Sequence, residues 1–171
     1  MKSARLRSAS QGFTLIEMVI TLALVGVIAL VSLPLYEVTA TRFKEAELRQ
    51  ALRTIRSGLD AYKAAVDAGL LTRIAGESGF PPSLDVLTQA LDVTGKSDSG
   101  FGSLETPKRI VILRQVPRDP FFPNADVPAA QTWNMRSYGS KSDDPQPGQD
   151  VFDVSSKSAR VGLDGTTYNT W

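Results

Sequence analysis

The sequence predicts an α+β chain with one very long N-terminal helix, apolar in its first half and amphipathic in its second, packed on a small C-terminal antiparallel β-sheet. Three observations predict it. Residues 18–36 run for nineteen positions without a charge. The helical pattern then continues to about residue 68, with apolar residues at 48, 52, 55, 59, 62 and 66, spaced four and three apart. Beyond it, glycine and proline clusters separate short β-rich runs.

As a helix rising about 1.5 Å per residue, the charge-free block covers about 28 Å, close to the ~30 Å of a hydrocarbon core. Its length therefore fits a membrane span. Lys2, Arg5 and Arg7 precede it without an acid before Glu17, and a basic flank of this kind keeps the N-terminus cytoplasmic and sends the rest of the chain outward. A removable signal peptide also starts basic, but its apolar core is shorter and ends at a small-residue cleavage site. Here the block leads through Glu37, Arg42, Lys44 and Glu45 into more helix. A plain signal-anchor explains the length and the flank and leaves Glu17 unexplained. A carboxylate drawn into lipid costs about 2.5–3.5 kcal/mol, so Glu17 either stays at headgroup level or takes a cationic partner. Pro34 removes a backbone donor inside the span, which a bilayer helix tolerates when neighbours re-satisfy the freed carbonyl.

The next elements follow from local chemistry. Glu45, Glu47, Arg49, Arg53, Arg56 and Lys63 fall mostly off the apolar stripe, and their mixed signs read as a solvated or subunit-contacting face. Barely three heptads are present, so the stripe is expected to pack on the chain's own C-terminal body and not in a coiled coil. Gly69, Gly76 and Gly79 end the helix, and Ser83 is the expected N-cap of a short second helix with Leu84, Leu87 and Leu91 on one face. A polar loop spans 94–103, and the apolar run from Ile110 to Leu113 is too short for periodicity to assign. Val116-Pro117-Arg118-Asp119-Pro120-Phe121 reads as a turn, because each proline biases the residue before it away from the helix. Expected strands are 133–138, 151–155, 160–163 and 166–171, while Asp143, Asp144 and Asp150 read as a solvated acidic loop tip.

Composition narrows the function. The 171 residues contain no histidine and no cysteine, which removes the commonest general base, the thiolate nucleophile and the usual zinc ligands. A non-enzymatic role is expected. A formal charge of +1 gives no whole-chain field for a polyanion, so nucleic acid is not an expected partner.

Residues 11–17, Gln-Gly-Phe-Thr-Leu-Ile-Glu, ahead of an apolar helix, resemble the class III leader of type IV pilins and type II secretion pseudopilins. The resemblance implies that residues 1–12 are a leader, cut by a prepilin peptidase between Gly12 and Phe13, with methylation of the new amine on Phe13. That amine is a partner for Glu17, either within one helix, where 13 and 17 are i and i+4 neighbours, or from an adjacent subunit. In a dry filament core either pairing offsets the cost of the carboxylate. Pro34 would mark a bending point during assembly. The 116–121 element resembles the Pro-x-Asp-Pro-aromatic element of the G-type, or major, pseudopilin of type II secretion, and the stretches at 133–139, 150–156 and 162–171 look like its C-terminal sheet and loop.

By this resemblance the fold is pilin-like, with a leader at 1–12, a transmembrane and assembly helix at 13–36, the amphipathic half of that helix at 37–68 and a periplasmic body at 69–171. The implied protein is a single-pass inner-membrane subunit that polymerises into a helical, periplasmic homo-oligomer. Its implied partners are the prepilin peptidase, minor pseudopilins and an inner-membrane assembly platform. A minor type IV pilin or DNA-uptake pilin is the alternative, and a membrane-anchored binding module that never polymerises is the alternative of another class. The missing cysteines depart from ordinary type IVa major pilins, which commonly carry a C-terminal disulfide. The family often binds Ca2+ in the last loop, where Asp164, with Asp153 at the edge, supplies the side-chain candidates. Calcium draws about six to eight oxygens, so Asp164-Gly165 as a hairpin turn is the competing reading.

Overall fold

The computed structural model describes residues 12–72, 78–94 and 109–171. The basic leader residues, Gly76 and the greater part of the 94–103 loop lie outside the described residues. The chain forms two compact units, the first ending at Thr41 and the second spanning Arg42–Trp171. A single 53-residue helix, α1 (Leu15–Asp67), contributes to both and is continuous through Pro34.

In the second unit the apolar stripe of α1 is the centre of the core. Leu48, Ala51, Leu52, Ile55 and Leu59 are buried together with Leu84, Leu87, Trp133, Val151, Val154 and Tyr168. Each fully buried Leu or Ile contributes roughly 1.5–3 kcal/mol relative to exposure. Gly58 continues the helix because Leu113 crosses it closely, and an added Cβ would stand 3.0 Å from that side chain. A smaller cluster of Ala65, Val66 and Leu71 finishes the helix against Leu91 and Ile110. Gly69 then turns the chain in the left-handed region at φ 70°, as a helix terminus favours.

The predicted second helix is a 3-10 turn over Leu84–Thr88 that buries Leu84 and Leu87, and Ser83 makes no side-chain capping bond. A five-residue turn has too few amide donors for a cap to matter as it does in an α-helix. The sheet is two separate antiparallel ribbons. One pairs β1 (Leu91–Asp92) with β2 (Arg109–Ile110), and the other pairs β3 (Trp133–Arg136) with β4 (Asp153–Ser156) in the register Trp133↔Ser156. The predicted strands at 160–163 and 166–171 reduce to one bridge, Val161↔Thr167, followed by a 3-10 turn over Tyr168–Thr170. The turn brings residues three apart to one side, so Tyr168 and Trp171 meet edge to face at 5.0 Å, which an extended strand would prevent.

Two segments read as surface turns hold the body together. Asp119 is buried; its carboxylate accepts from the Ser156 hydroxyl at 2.6 Å and the Phe121 amide at 2.8 Å. Phe121 stacks on Tyr168 with ring centroids 4.1 Å apart, and Trp133 donates its indole N–H to the Pro117 carbonyl at 2.9 Å. Asp143 and Asp144 are exposed as expected, whereas Asp150 is a latch. It accepts from the Ser78 and Ser137 hydroxyls and the Tyr138 amide, joining three chain segments. Partial burial pushes its carboxyl up, but these donors outweigh it and hold the group below its ordinary value.

Removing stripe atoms is expected to damage the second unit alone. Ile55→Ala lowers the unfolding free energy of an Arg42–Trp171 fragment by about 2–5 kcal/mol in urea, while the exposed Ser57→Ala changes it by less than about 0.5 kcal/mol.

Candidate functional site

At the N-terminal end, Gly12, Phe13 and Thr14 precede the helix and are exposed. The Glu17 amide donates to Thr14 Oγ1 at 3.3 Å and the Met18 amide to the Thr14 carbonyl at 3.2 Å, which makes Thr14 the N-cap of α1. The helix therefore begins at Leu15, two residues later than the sequence reading placed it. Sequence reasoning missed Thr14, although Thr14-Leu15-Ile16-Glu17 ahead of an apolar run is the S/T-x-x-E signature of a capped start. Glu17 lies in the first turn, where a negative charge suits the helix dipole. Among the described residues its carboxylate has no cationic partner. Among the described residues, apart from its chain neighbours, no atom lies within 4 Å of where a Gly12 Cβ would stand, and Phe13 is 75% exposed. The Gly12–Phe13 peptide is thus unwound and accessible immediately before a capped helix.

Among the described residues, the first unit leaves its apolar side chains exposed. Leu15, Leu22 and Leu30 are each at least 70% exposed. Among the described residues α1 is the one helix long and apolar enough to cross a membrane, with a mean hydropathy of 2.6 over its most apolar stretch. Its hydroxyls are satisfied internally, Thr21 on the Met18 carbonyl at 3.0 Å and Ser32 on the Ile28 carbonyl at 2.8 Å. Such pairing lets Ser and Thr sit in hydrocarbon without an unmet donor. Pro34 lies within this helix.

The second candidate locus, the C-terminal turn, is tied to α1 by carboxylates and guanidinium groups. Glu45, expected off the stripe, is buried and accepts from the Leu163 amide at 2.7 Å and the Tyr168 hydroxyl at 2.9 Å. Gly162 is required there, because an added Cβ would lie 2.9 Å from the Tyr168 ring and 3.1 Å from Glu45. Arg56 donates to Asp153 at 2.8 Å and to the Val154 and Trp171 carbonyl oxygens at 3.0 Å each. Arg49 reaches Asp164 at 3.5 Å and lies over the Trp171 ring at 4.3 Å. Both residues were expected on a solvated face; long side chains let the helix bury its stripe and still reach this loop.

The two calcium candidates are placed by these contacts. Asp153 faces Arg56 and, at 3.9 Å, Arg136, while Asp164 faces Arg49. Asp164 also accepts the Thr166 amide and hydroxyl, closing the Asp164-Gly165 turn with Gly165 at φ 83°. The Thr166 hydroxyl, then its amide, then Arg49 hold the Asp164 carboxyl below its ordinary value. Carboxylates already matched by arginines do not fit a dication that needs about six to eight oxygens. Among the described residues no group of three or more metal-binding side chains exists.

Comparison with known proteins bears on the first locus. Residues 7–33 match the family model of the prokaryotic N-terminal methylation motif. The chain is also similar to the type IV major pilin protein PilA of Myxococcus xanthus (strain DK1622), 28% identical over 82 residues, covering 48% of this chain and 36% of that protein. It thus spans about a third of the length of this curated relative. No solved structure gives a significant match. The motif, the distant pilin similarity and the exposed apolar helix together fit a membrane-anchored, pilin-like chain.

The buried Glu45–Tyr168 pair gives the second unit an alkaline limit. Burial, then the Glu45 carboxylate beside it, push the Tyr168 phenol up to about 12, against about 10 in an unfolded chain. The resulting stabilisation is complete below about pH 10 and is lost as the pH rises toward about 12. In urea unfolding of the Arg42–Trp171 fragment, the advantage of the native sequence over Tyr168→Phe is expected to shrink by about 2–3 kcal/mol across that window.

Proposed function

We propose that this chain is a structural subunit of a filament, cut between Gly12 and Phe13, methylated on Phe13 and polymerised through residues 13–36. The observation that carries the reading is an exposed, unwound Gly12–Phe13 peptide directly before a capped helix whose apolar first half is exposed among the described residues. Cleavage there removes Lys2, Arg5 and Arg7 and leaves an amine four residues from Glu17. In a filament core that amine and the carboxylate of an adjacent copy form the pair that offsets burying either alone. Helix packing and this pair bias the exchange of lipid contacts for protein contacts when a subunit leaves the bilayer. Pro34, inside the packed half, is the point at which the helix bends to fit its neighbours.

The finer assignment is to the periplasmic pseudopilus of a type II protein secretion system, as a G-type subunit. The precursor is held in the inner membrane with a cytoplasmic N-terminus, residues 37–68 and 69–171 facing the periplasm, and minor pseudopilins and the assembly platform as partners. The Pro117–Phe121 element, built around buried Asp119, supports this assignment. A second reading, a type IV pilus subunit, is favoured by the similarity to the Myxococcus xanthus major pilin. Protein export and surface piliation in a strain lacking the chain separate the two: lost export with unchanged pili supports the first, lost pili with normal export the second.

Two measurements test the common core. Intact-mass analysis of the chain from peptidase-positive cells is expected to give a product beginning at Phe13 with one added methyl, and a product retaining Met1 would sink the reading. Glu17→Ala is expected to insert into the membrane as the native chain does and to lose the multimer ladder produced by cross-linking.

A further inference from the structure

Arg49, Arg53 and Arg56 line one side of an open cleft of about 430 Å³, with Leu52 between them and Asp164, Thr166 and Trp171 opposite. Spaced four and three apart, the arginines share one face of α1. Arg56 is matched by Asp153 and two carbonyls, and Arg49 by Asp164 and the Trp171 ring. Arg53 is exposed, and among the described residues its guanidinium bonds only to the neutral Gln50 Oε1, at 2.9 Å. The cleft therefore offers one charge without a counter-charge, next to an apolar side chain and an indole.

The complementary chemistry stands elsewhere on the same unit. Asp143-Asp144 is the only Asp/Glu doublet in the sequence and is followed by Pro145. Every residue from 141 to 149 is exposed. Among the described residues Asp144 accepts only from the Gln146 side-chain Nε2 at 2.7 Å, and neither aspartate has a cationic partner. The base of the loop is fixed by the Asp150 latch on Ser78 and Ser137, so the tip is presented on a held stem.

We propose that the Arg53 cleft of one copy receives the Asp143-Asp144 tip of a second copy. The proposal rests on the polymerisation argued above. Cleft and tip are different patches, so the contact is heterologous and propagates from copy to copy instead of closing a pair, which is the symmetry an open helical filament requires. Once the apolar helices hold two copies together, the tip meets the cleft at high effective concentration, so an exposed charge pair that is weak between free molecules sets the register of the assembly.

The full chain is tested in cells that assemble it, by the yield of cross-linked multimers alongside the amount of subunit left in the membrane. Arg53→Glu, or Asp143→Lys with Asp144→Lys, is expected to lower the yield by at least about tenfold while the membrane pool stays normal. Combining all three substitutions restores assembly, and Arg53→Lys retains it. Because the chain has no cysteine, Arg53→Cys with Asp144→Cys is expected to give a disulfide-linked ladder that neither substitution gives alone. Unchanged yield after either reversal, no rescue in the combined variant, or no ladder from the cysteine pair overturns this contact while leaving polymerisation standing. Native chains that never assemble overturn both.

Discussion

A ribbon with two residues per strand and another with four bury too little surface to fold by themselves, so both depend on the apolar stripe that α1 presents between Leu48 and Val66. The described elements of the second unit cover that stripe. Trp133 and Val154 come from β3 and β4, Leu84 and Leu87 from a 3-10 turn, and Tyr168 from another. The connecting segments contribute few ladder bonds, and side-chain bonds take their place. Asp119 holds a proline turn to Ser156, Asp150 gathers three segments, and Glu45 draws residues 163 and 168 onto the helix. A body so rich in loops stays ordered because its buried carboxylates are all bonded.

The same helix meets the opposite requirement in its other half. Between Phe13 and Tyr36 the described apolar side chains, Leu15, Leu22 and Leu30 among them, are exposed, and the hydroxyls of Thr21 and Ser32 turn back onto their own backbone. That surface is stable only in hydrocarbon or against other helices. The charge that interrupts it, Glu17, lies in the first turn beside a capped terminus, where the backbone dipole already favours a negative group. The acid proposed to act in assembly therefore occupies a position that helix chemistry also supports.

The long-period features of this arrangement are legible in the sequence because they depend on spacing. Leu48, Leu52, Ile55 and Leu59 repeat at helical intervals, the charge-free block has the length of a span, and the Gly-Phe-Thr-Leu-Ile-Glu run announces its own processing motif. What was not legible depends on contacts made far along the chain. Glu45, which is buried, lies three residues before Leu48 and so on the stripe face, unlike the exposed Glu47, but nothing local names its partner, Tyr168. Arg56 and Asp153, ninety-seven residues apart, looked like a solvated cation and a metal ligand, and they are partners. Asp150 shares its neighbourhood and composition with Asp143 and Asp144 and differs only in the hydroxyls that reach it. The split of the expected sheet into two ribbons was hidden for the same reason, since pairing of short strands is decided by what covers them.

The tie between Glu45 and Tyr168 spans 123 positions, and that separation orders events in time. A helix forms within about a microsecond of its residues being free, yet this core closes only after the turn at 162–168 has been delivered. If the apolar block stops in the membrane first, the Leu48–Leu59 stripe emerges finished and bare and must wait for over a hundred further residues to cross. During that interval, closure is governed by the slow search of a long loop for its partner, the kinetic signature of high contact order. On the proposed reading, newly inserted chains therefore pass through a stage with both halves of the helix uncovered, and premature association is a hazard of their biogenesis as much as assembly is its outcome.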